Sequence, residues 1–272
     1  MVLIHDDTSV PLNGLTNQRA VSGLDKNMSG RVTWIGSSQT PWVPSSWTFH
    51  GPVVSEFKLT AGASLLLRDD VPGSLHYAFV GNVNTAGTLY SATSSDMVHW
   101  ELNHTAFQRG RPGYFDHNGI AAGPQAEQLS DGSYLYLYNI DNAKNCQSAG
   151  CGPCGVNCSA HTGCRYCHDG RCALGWMILD KDDPLRAVAR AQETLLFAEL
   201  PFETLGSASY PVQTPWVIFT DGLQKVGVDE FIVWYGAGDT NVAAARIKVT
   251  VPPSSSSSSA AAVVVDQLPV AT

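Results

Sequence analysis

The sequence predicts an all-β fold. Three observations carry that expectation. Charged residues make up only 15% of the 272-residue chain, while 25 glycines and 15 prolines punctuate it. That is the profile of a turn-rich β protein rather than a helical bundle or a disordered chain. Short apolar runs with period-two alternation recur between polar turns, and no long segment keeps a 3.6-residue period. Two segments also look like copies of one unit, each a strand, a serine-rich turn and a tryptophan that opens a further strand.

The first copy is Arg31 to Ser38 followed by Ser46 to Val54. The second runs from Thr88 through Ser94-Ser95-Asp96-Met97-Val98-His99-Trp100 to Glu101. Four-stranded units repeating at roughly 40–50 residues are the signature of β-propeller blades, because one small sheet cannot bury both faces alone. Ala63 to Leu67 and Ser74 to Val80 read as strands around an Asp-Asp-Val-Pro-Gly turn at 69–73. Tyr134 to Tyr138 alternates tyrosine with leucine after the turn Asp131-Gly132, as a strand with two distinct faces does. Ala187 to Arg190 and Leu195 to Phe197 continue the pattern. Asp180, Asp182 and Asp183 read as a turn closed by Pro184, and His99-Trp100 as packing between strands. The tail, six serines and three alanines after Val251-Pro252-Pro253, is expected to be disordered over 251–272.

The net charge of −8 and the scatter of the basic residues exclude a nucleic-acid surface, which needs clustered Lys and Arg. No apolar stretch is long enough to cross a bilayer as a helix. Met1 to Asp7 lacks the basic start of a signal peptide.

All seven cysteines lie between 146 and 172: Cys146, Cys151, Cys154, Cys158, Cys164, Cys167 and Cys172. The segment 142–172 reads as an insertion beside the main fold. A disulfide-bonded knob is favoured over a four-thiolate zinc knuckle built on Cys151-Gly-Pro-Cys154 and Cys164-Arg-Tyr-Cys167, with His161 and His168 as substitutes. The count is odd, so one thiol stays unbridged or pairs elsewhere. Sequons at Asn27, Asn103 and Asn157 fit a secretory, extracellular location.

Across residues 31–249 a series of motifs resembles the five-bladed β-propeller glycosidases and phosphorylases. The likeness is to glycoside hydrolase family 130, the mannoside phosphorylase group, and more distantly to family 43. It rests on Ala63 to Asp69, on Ser94 to Trp100, and on Phe115-Asp116-His117-Asn118 with Gly123-Pro124. It continues through Leu129 to Leu135, Leu179-Asp180 with Asp183-Pro184, Glu203, and Trp234-Tyr235-Gly236-Ala237-Gly238-Asp239. The resemblance implies one propeller domain over 1–250 that binds sugar at its axis and cleaves glycosidic bonds with inversion. Inorganic phosphate is the co-substrate of a phosphorylase, and no other cofactor or metal is implied.

Asp239 takes the role of holding sugar hydroxyls, with Asp116, Asn118, Glu203, Arg68 and Arg111 as further binding candidates. The bland readings stand beside these: a turn acid for Asp239, a loop terminus for Asp116 and Asn118, a structural role for Glu203, and solvated loop arginines for Arg68 and Arg111. The family's Asp-Pro-Arg acid motif is missing, and Asp6 or Asp7 falls near its place. The phosphate-binding lysine is replaced around Thr60-Ala61, which tilts the reading towards hydrolysis. A full five-bladed propeller needs about 300 residues or more at this repeat length, so the first blade is expected to be missing. The alternatives are a non-catalytic carbohydrate-binding propeller that has lost its acid, an arabinan- or xylan-directed hydrolase of the family 43 type, and a cysteine knob that recognises a protein partner.

Overall fold

The computed structural model describes residues 2–7, 31–52, 63–69, 71–81, 87–111, 114–116, 119–141, 172–250 and 262–267. Their regular structure is β throughout, apart from one 3-10 turn at Pro44–Ser46. Where one domain over 1–250 is expected, the chain divides into two compact units, Met1–Gln108 and Arg109–Thr272. Each unit has its own apolar cluster.

The first unit holds two antiparallel sheets. One has three strands in sequence order, β1 (Val2–Asp7), β2 (Arg31–Ser37) and β3 (Thr48–Pro52). The other has four, β4 (Ala63–Leu66), β5 (His76–Val80), β6 (Thr88–Ser94) and β7 (Glu101–Arg109), again in sequence order. Ala63, Leu65, Ala78, Val80, Tyr90 and Ala92 fall on one face of this sheet by register. They pack with Ile35 of β2, and Trp100 and Leu102 flank them.

The second unit stacks two sheets. The central pair of the first is β10 (Tyr134–Asp141) and β11 (Cys172–Leu179). They are flanked by β8 (Ile120–Ala122), β9 (Glu127–Gln128), β12 (Ala187–Arg190) and β13 (Leu196–Phe197). The second sheet runs in sequence order through β14 (Ile218–Gly227), β15 (Glu230–Ala237), β16 (Asn241–Thr250) and β17 (Ala262–Gln267). Leu135, Leu137 and Leu174 pack with Phe231, Val233, Tyr235, Ala245 and Ile247 in one buried apolar cluster. Asn139 pins the two sheets together. Its Nδ2 donates to Ala122 O at 2.9 Å and Thr220 O at 3.1 Å, and its Oδ1 accepts from Thr220 N at 2.8 Å. A buried amide satisfied on both ends fixes the lateral position of two sheets that hydrophobic packing alone leaves free to slide.

Two expectations are corrected here. Ala262–Gln267 is not part of a disordered tail but the outermost strand, paired with β16 from Thr250↔Ala262 to Ala245↔Gln267. Its Ala-Val-Val-Val run has the β-branched character a strand needs, and Val263 packs against the core. His99 is not a packing residue. Its ring is exposed and bonds Asp96 Oδ2 at 2.7 Å, while Trp100 alone packs inward.

The turns repeat a device. Asp96 Oδ1 accepts from the backbone N–H of Val98 and of His99, both at 2.8 Å. Asp180 Oδ1 does the same for Asp182 and Asp183 at 2.9 Å, and Arg186 closes on its other oxygen. These bonds hold both carboxyls below the usual carboxylate range, His99 being the main cause for Asp96 and the Asp183 N–H for Asp180. The acids at 180–183 thus build a turn, as their spacing with Pro184 implies.

Candidate functional site

The polar interior of the second unit centres on Asp116. It lies in the loop between β7 and β8, and its carboxylate is fully buried. Arg111 Nε reaches its two oxygens at 3.1 and 3.2 Å. Arg190 Nη2, from the end of β12, donates to Oδ2 at 2.7 Å, and the Tyr138 hydroxyl donates to the same oxygen at 2.8 Å. The guanidiniums spend further donors on backbone carbonyls: Arg111 Nη2 on Ala191 O at 2.5 Å, and Arg190 Nη2 on Arg109 O at 3.0 Å. Arg111 also lies 4.3 Å over the Tyr114 ring.

Two guanidiniums against one carboxylate leave the cluster net positive. A single buried carboxylate gathers β10, β12 and the 109–116 loop. Burial pushes the Tyr138 phenol well above its ordinary value, Arg190 opposing and Asp116 adding to the rise. Tyr138 therefore stays a donor to Asp116.

Local sequence explains why these groups can meet. Leu135, Leu137 and Asn139 of β10 point to the second sheet, so strand alternation sends Tyr134, Tyr136 and Tyr138 to the opposite face. Gly175, the register partner of Tyr138, has no side chain to displace the ring.

Glu203 is also fully buried. Its Oε2 accepts from the backbone N–H of Glu199 at 2.7 Å and Leu200 at 2.8 Å, and its Oε1 accepts from the Tyr235 hydroxyl at 2.7 Å. Burial, then Glu203, drives the Tyr235 phenol far up.

Asp239 sits at the tip of the β15–β16 hairpin, which closes at Ala237↔Asn241. Gly238 and Asp239 both have left-handed backbones, with φ of 61° and 56°. The tip is tied down, since Gly238 O accepts from Gln213 N at 2.9 Å and Thr214 N at 3.0 Å. Asn241 Nδ2 donates to Phe202 O at 3.2 Å and Pro211 O at 2.9 Å, which joins this hairpin to the segment bearing Glu203. The Asp239 side chain is exposed.

The remaining candidates fall elsewhere. Arg68 lies in the first unit after β4, where its backbone N–H donates to His76 Nδ1 at 3.2 Å. Asp6 and Asp7 end β1, paired with Val32 and Arg31. Asn118 lies outside the described residues, as do Cys146, Cys151, Cys154, Cys158, Cys164 and Cys167. Cys172 is buried inside β11, paired in register with Asp141. The other six cysteines precede it in sequence. Among the described residues no cluster of His, Cys, Asp and Glu is placed to hold a metal ion. No described helix is long and apolar enough to cross a membrane.

Sequence reasoning brought Asp116 and Arg111 into view but missed Arg190 and Tyr138. Arg190 closes a strand 74 residues away from Asp116, and strand patterning carries no sign of such a pairing.

No family model matches this chain. It is 37% identical over 75 residues to a β-1,2-mannobiose phosphorylase of a Thermoanaerobacter species, a stretch that covers 28% of this chain and 22% of that one. In structure it matches a protein described among family 130 glycoside hydrolases that target β-1,2 mannosidic linkages in Candida mannan. The TM-score is 0.59 and the identity 21%, over 80% of this chain and 58% of the other. It also matches the β-1,2-mannobiose phosphorylase of Listeria innocua, with a TM-score of 0.56 and 18% identity over 79% of this chain and 50% of that one. The chain thus spans 50–58% of the length of these solved relatives. In sequence over one stretch and in fold over four-fifths of its length, the chain resembles the family 130 mannoside phosphorylases and glycoside hydrolases.

Proposed function

We propose that this chain is a glycoside hydrolase or phosphorylase domain acting on β-linked mannosides with inversion, its small sheets being blades of a five-bladed β-propeller. The stretch of 37% identity to a β-1,2-mannobiose phosphorylase carries this reading. The fold it shares with family 130 structures supports it.

In this reading Asp239 holds sugar hydroxyls. Its exposed carboxylate stands on a hairpin tip whose backbone is tied to residues 202–214, and it can accept two hydrogen bonds from neighbouring hydroxyls. Asp116, Arg111, Arg190 and Tyr138 shape the polar wall, and Asn118, two residues further in sequence, is a further binding candidate. Asp6 and Asp7 are the proton-donor candidates, and the missing lysine favours water over phosphate as the attacking group. The sequons and the cysteine-rich segment favour export.

A second reading, a carbohydrate-binding propeller without catalysis, draws on one observation. The buried acids Asp116 and Glu203 have both oxygens engaged as acceptors by neighbouring donors, so neither is placed to deliver a proton.

The test is release of mannose or mannose 1-phosphate from β-1,2-mannobiose by the purified chain, with and without phosphate. Phosphate-independent release supports the hydrolase, and phosphate-dependent release the phosphorylase. Sugar binding without release supports the second reading. Neither binding nor release overturns both.

A further inference from the structure

The hairpin that joins β2 to β3 carries an indole that nothing in the functional reading uses. Trp42 is 77% exposed, and Val43 beside it is 38% exposed. The loop between Ser37 and Thr48 is nevertheless internally built. Ser46 Oγ lies 2.5 Å from Ser38 Oγ and 2.7 Å from both Thr40 O and Val43 O, which compete for its single proton. The Trp47 indole N–H donates to Pro41 O at 3.1 Å. Backbone bonds from Val43 N to Thr40 O and from Ser46 N to Val43 O close two successive turns. Pro41 and Pro44 restrict the chain on both sides of the tryptophan.

The loop thus presents Trp42 from a framework with little backbone freedom left to lose on binding, which is what makes an exposed aromatic an effective contact. Charge narrows the ligand. Residues 32–55 include no Asp, Glu, Lys or Arg, so the loop itself offers no charge to an anionic membrane, a nucleic acid or a charged peptide. Size narrows it again. One tryptophan and its neighbours offer about 150–250 Å², well below the roughly 800 Å² per partner of a stable protein interface. A flat, neutral, hydroxyl-bearing ring remains. The C–H face of a pyranose stacks on an indole face, while Gln39, Thr40 and Ser45 supply neutral hydrogen-bonding groups alongside.

We propose that Trp42 is a stacking platform for neutral polysaccharide, a binding site in the first unit additional to the candidate residues of the second. The choice of glycan as ligand rests on the carbohydrate-active reading above.

The experiment is native affinity electrophoresis of the full chain through gels with soluble neutral mannan, without polysaccharide, and after incubation with phosphatidylserine vesicles. Wild type, Trp42→Ala, Trp42→Phe and the exposed control Val228→Ala are compared. Mannan is expected to retard wild type and Val228→Ala alike. Trp42→Ala should weaken the apparent affinity at least tenfold, and Trp42→Phe should fall between. Quenching of wild-type tryptophan fluorescence by mannan gives a second measure should Trp42→Ala fold poorly.

Equal retardation of wild type and Trp42→Ala, or none of wild type, overturns the proposal. So does a Trp42-dependent shift onto vesicles or into dimers in place of mannan. The mannobiose assay is read separately on wild type. Failure there with Trp42-dependent retardation removes the enzyme reading and leaves the platform, and the converse result removes only the platform.

Discussion

Gly175 stands opposite Tyr138 in the β10–β11 ladder, and the phenol ring fills the space a side chain at 175 would need. A Cβ there would come within 2.3 Å of the ring carbon that bears the hydroxyl and 2.6 Å of the hydroxyl oxygen. Tyr138 is fully buried and has nowhere to turn. Gly175→Ala should therefore destabilise the fold by about 1–3 kcal/mol through overpacking. Gly236→Ala, whose Cβ would come no nearer than 3.7 Å to Phe219 O, should cost far less. Urea midpoints of the two variants against wild type check the difference.

Removing Asp116 strands two mostly buried guanidiniums. Asp116→Ala should cost about 3–5 kcal/mol, the usual result of breaking a buried ion pair from one side. Tyr138→Phe removes one hydrogen bond to the same carboxylate and should cost about 1.5–3 kcal/mol. Denaturant unfolding should preserve that order, and a reversal would mean that Tyr138 rather than Asp116 organises the cluster.

Tyr138 and Tyr235 both have phenols raised above the unfolded value of about 10. The folded state keeps protons that the unfolded state releases, so stability from these groups is complete below pH 10 and declines as pH rises past it. Unfolding midpoints between pH 8 and pH 11 should show this alkaline limb. In Tyr138→Phe/Tyr235→Phe the limb should be shallower, by up to the slope of two protons.

Glu203 and Asp239 should separate cleanly. Glu203→Gln places an amide where three donors converge, so a loss of about 1–3 kcal/mol is expected. Asp239→Asn keeps a residue that tolerates the left-handed backbone, so the melting temperature should hold. Its sugar affinity should fall at least tenfold by calorimetry. Unchanged binding in Asp239→Asn would remove this residue from the site.

The strands were legible where alternation is local. Tyr134 to Tyr138, Ala187 to Arg190 and the Asp180 to Pro184 turn all stand where their patterns place them. The candidate site was half legible. Asp116 could be picked from a motif, but Arg190 and Asn139 act through bonds spanning 74 and 81 residues, which no periodicity encodes. The serine and alanine run hid β17, because composition averaged over the tail dilutes the short Val263 to Val265 core of that strand. Cysteine spacing does not reveal that Cys172 opens β11, whereas the apolar Ala-Leu-Gly-Trp-Met-Ile-Leu run that follows it does.

The β10–β11 ladder stays in register out to its last rung, Asp141↔Cys172, from which the chain departs and to which it returns after residues 142–171. The two strands are zipped directly to each other from Tyr134↔Leu179 to Asp141↔Cys172. The cost of closing a loop there rises only about 0.6 kcal/mol for each doubling of its length. This rung thus tolerates connections of widely different length, and replacing residues 142–171 with a short turn should leave the β10–β11 ladder in register.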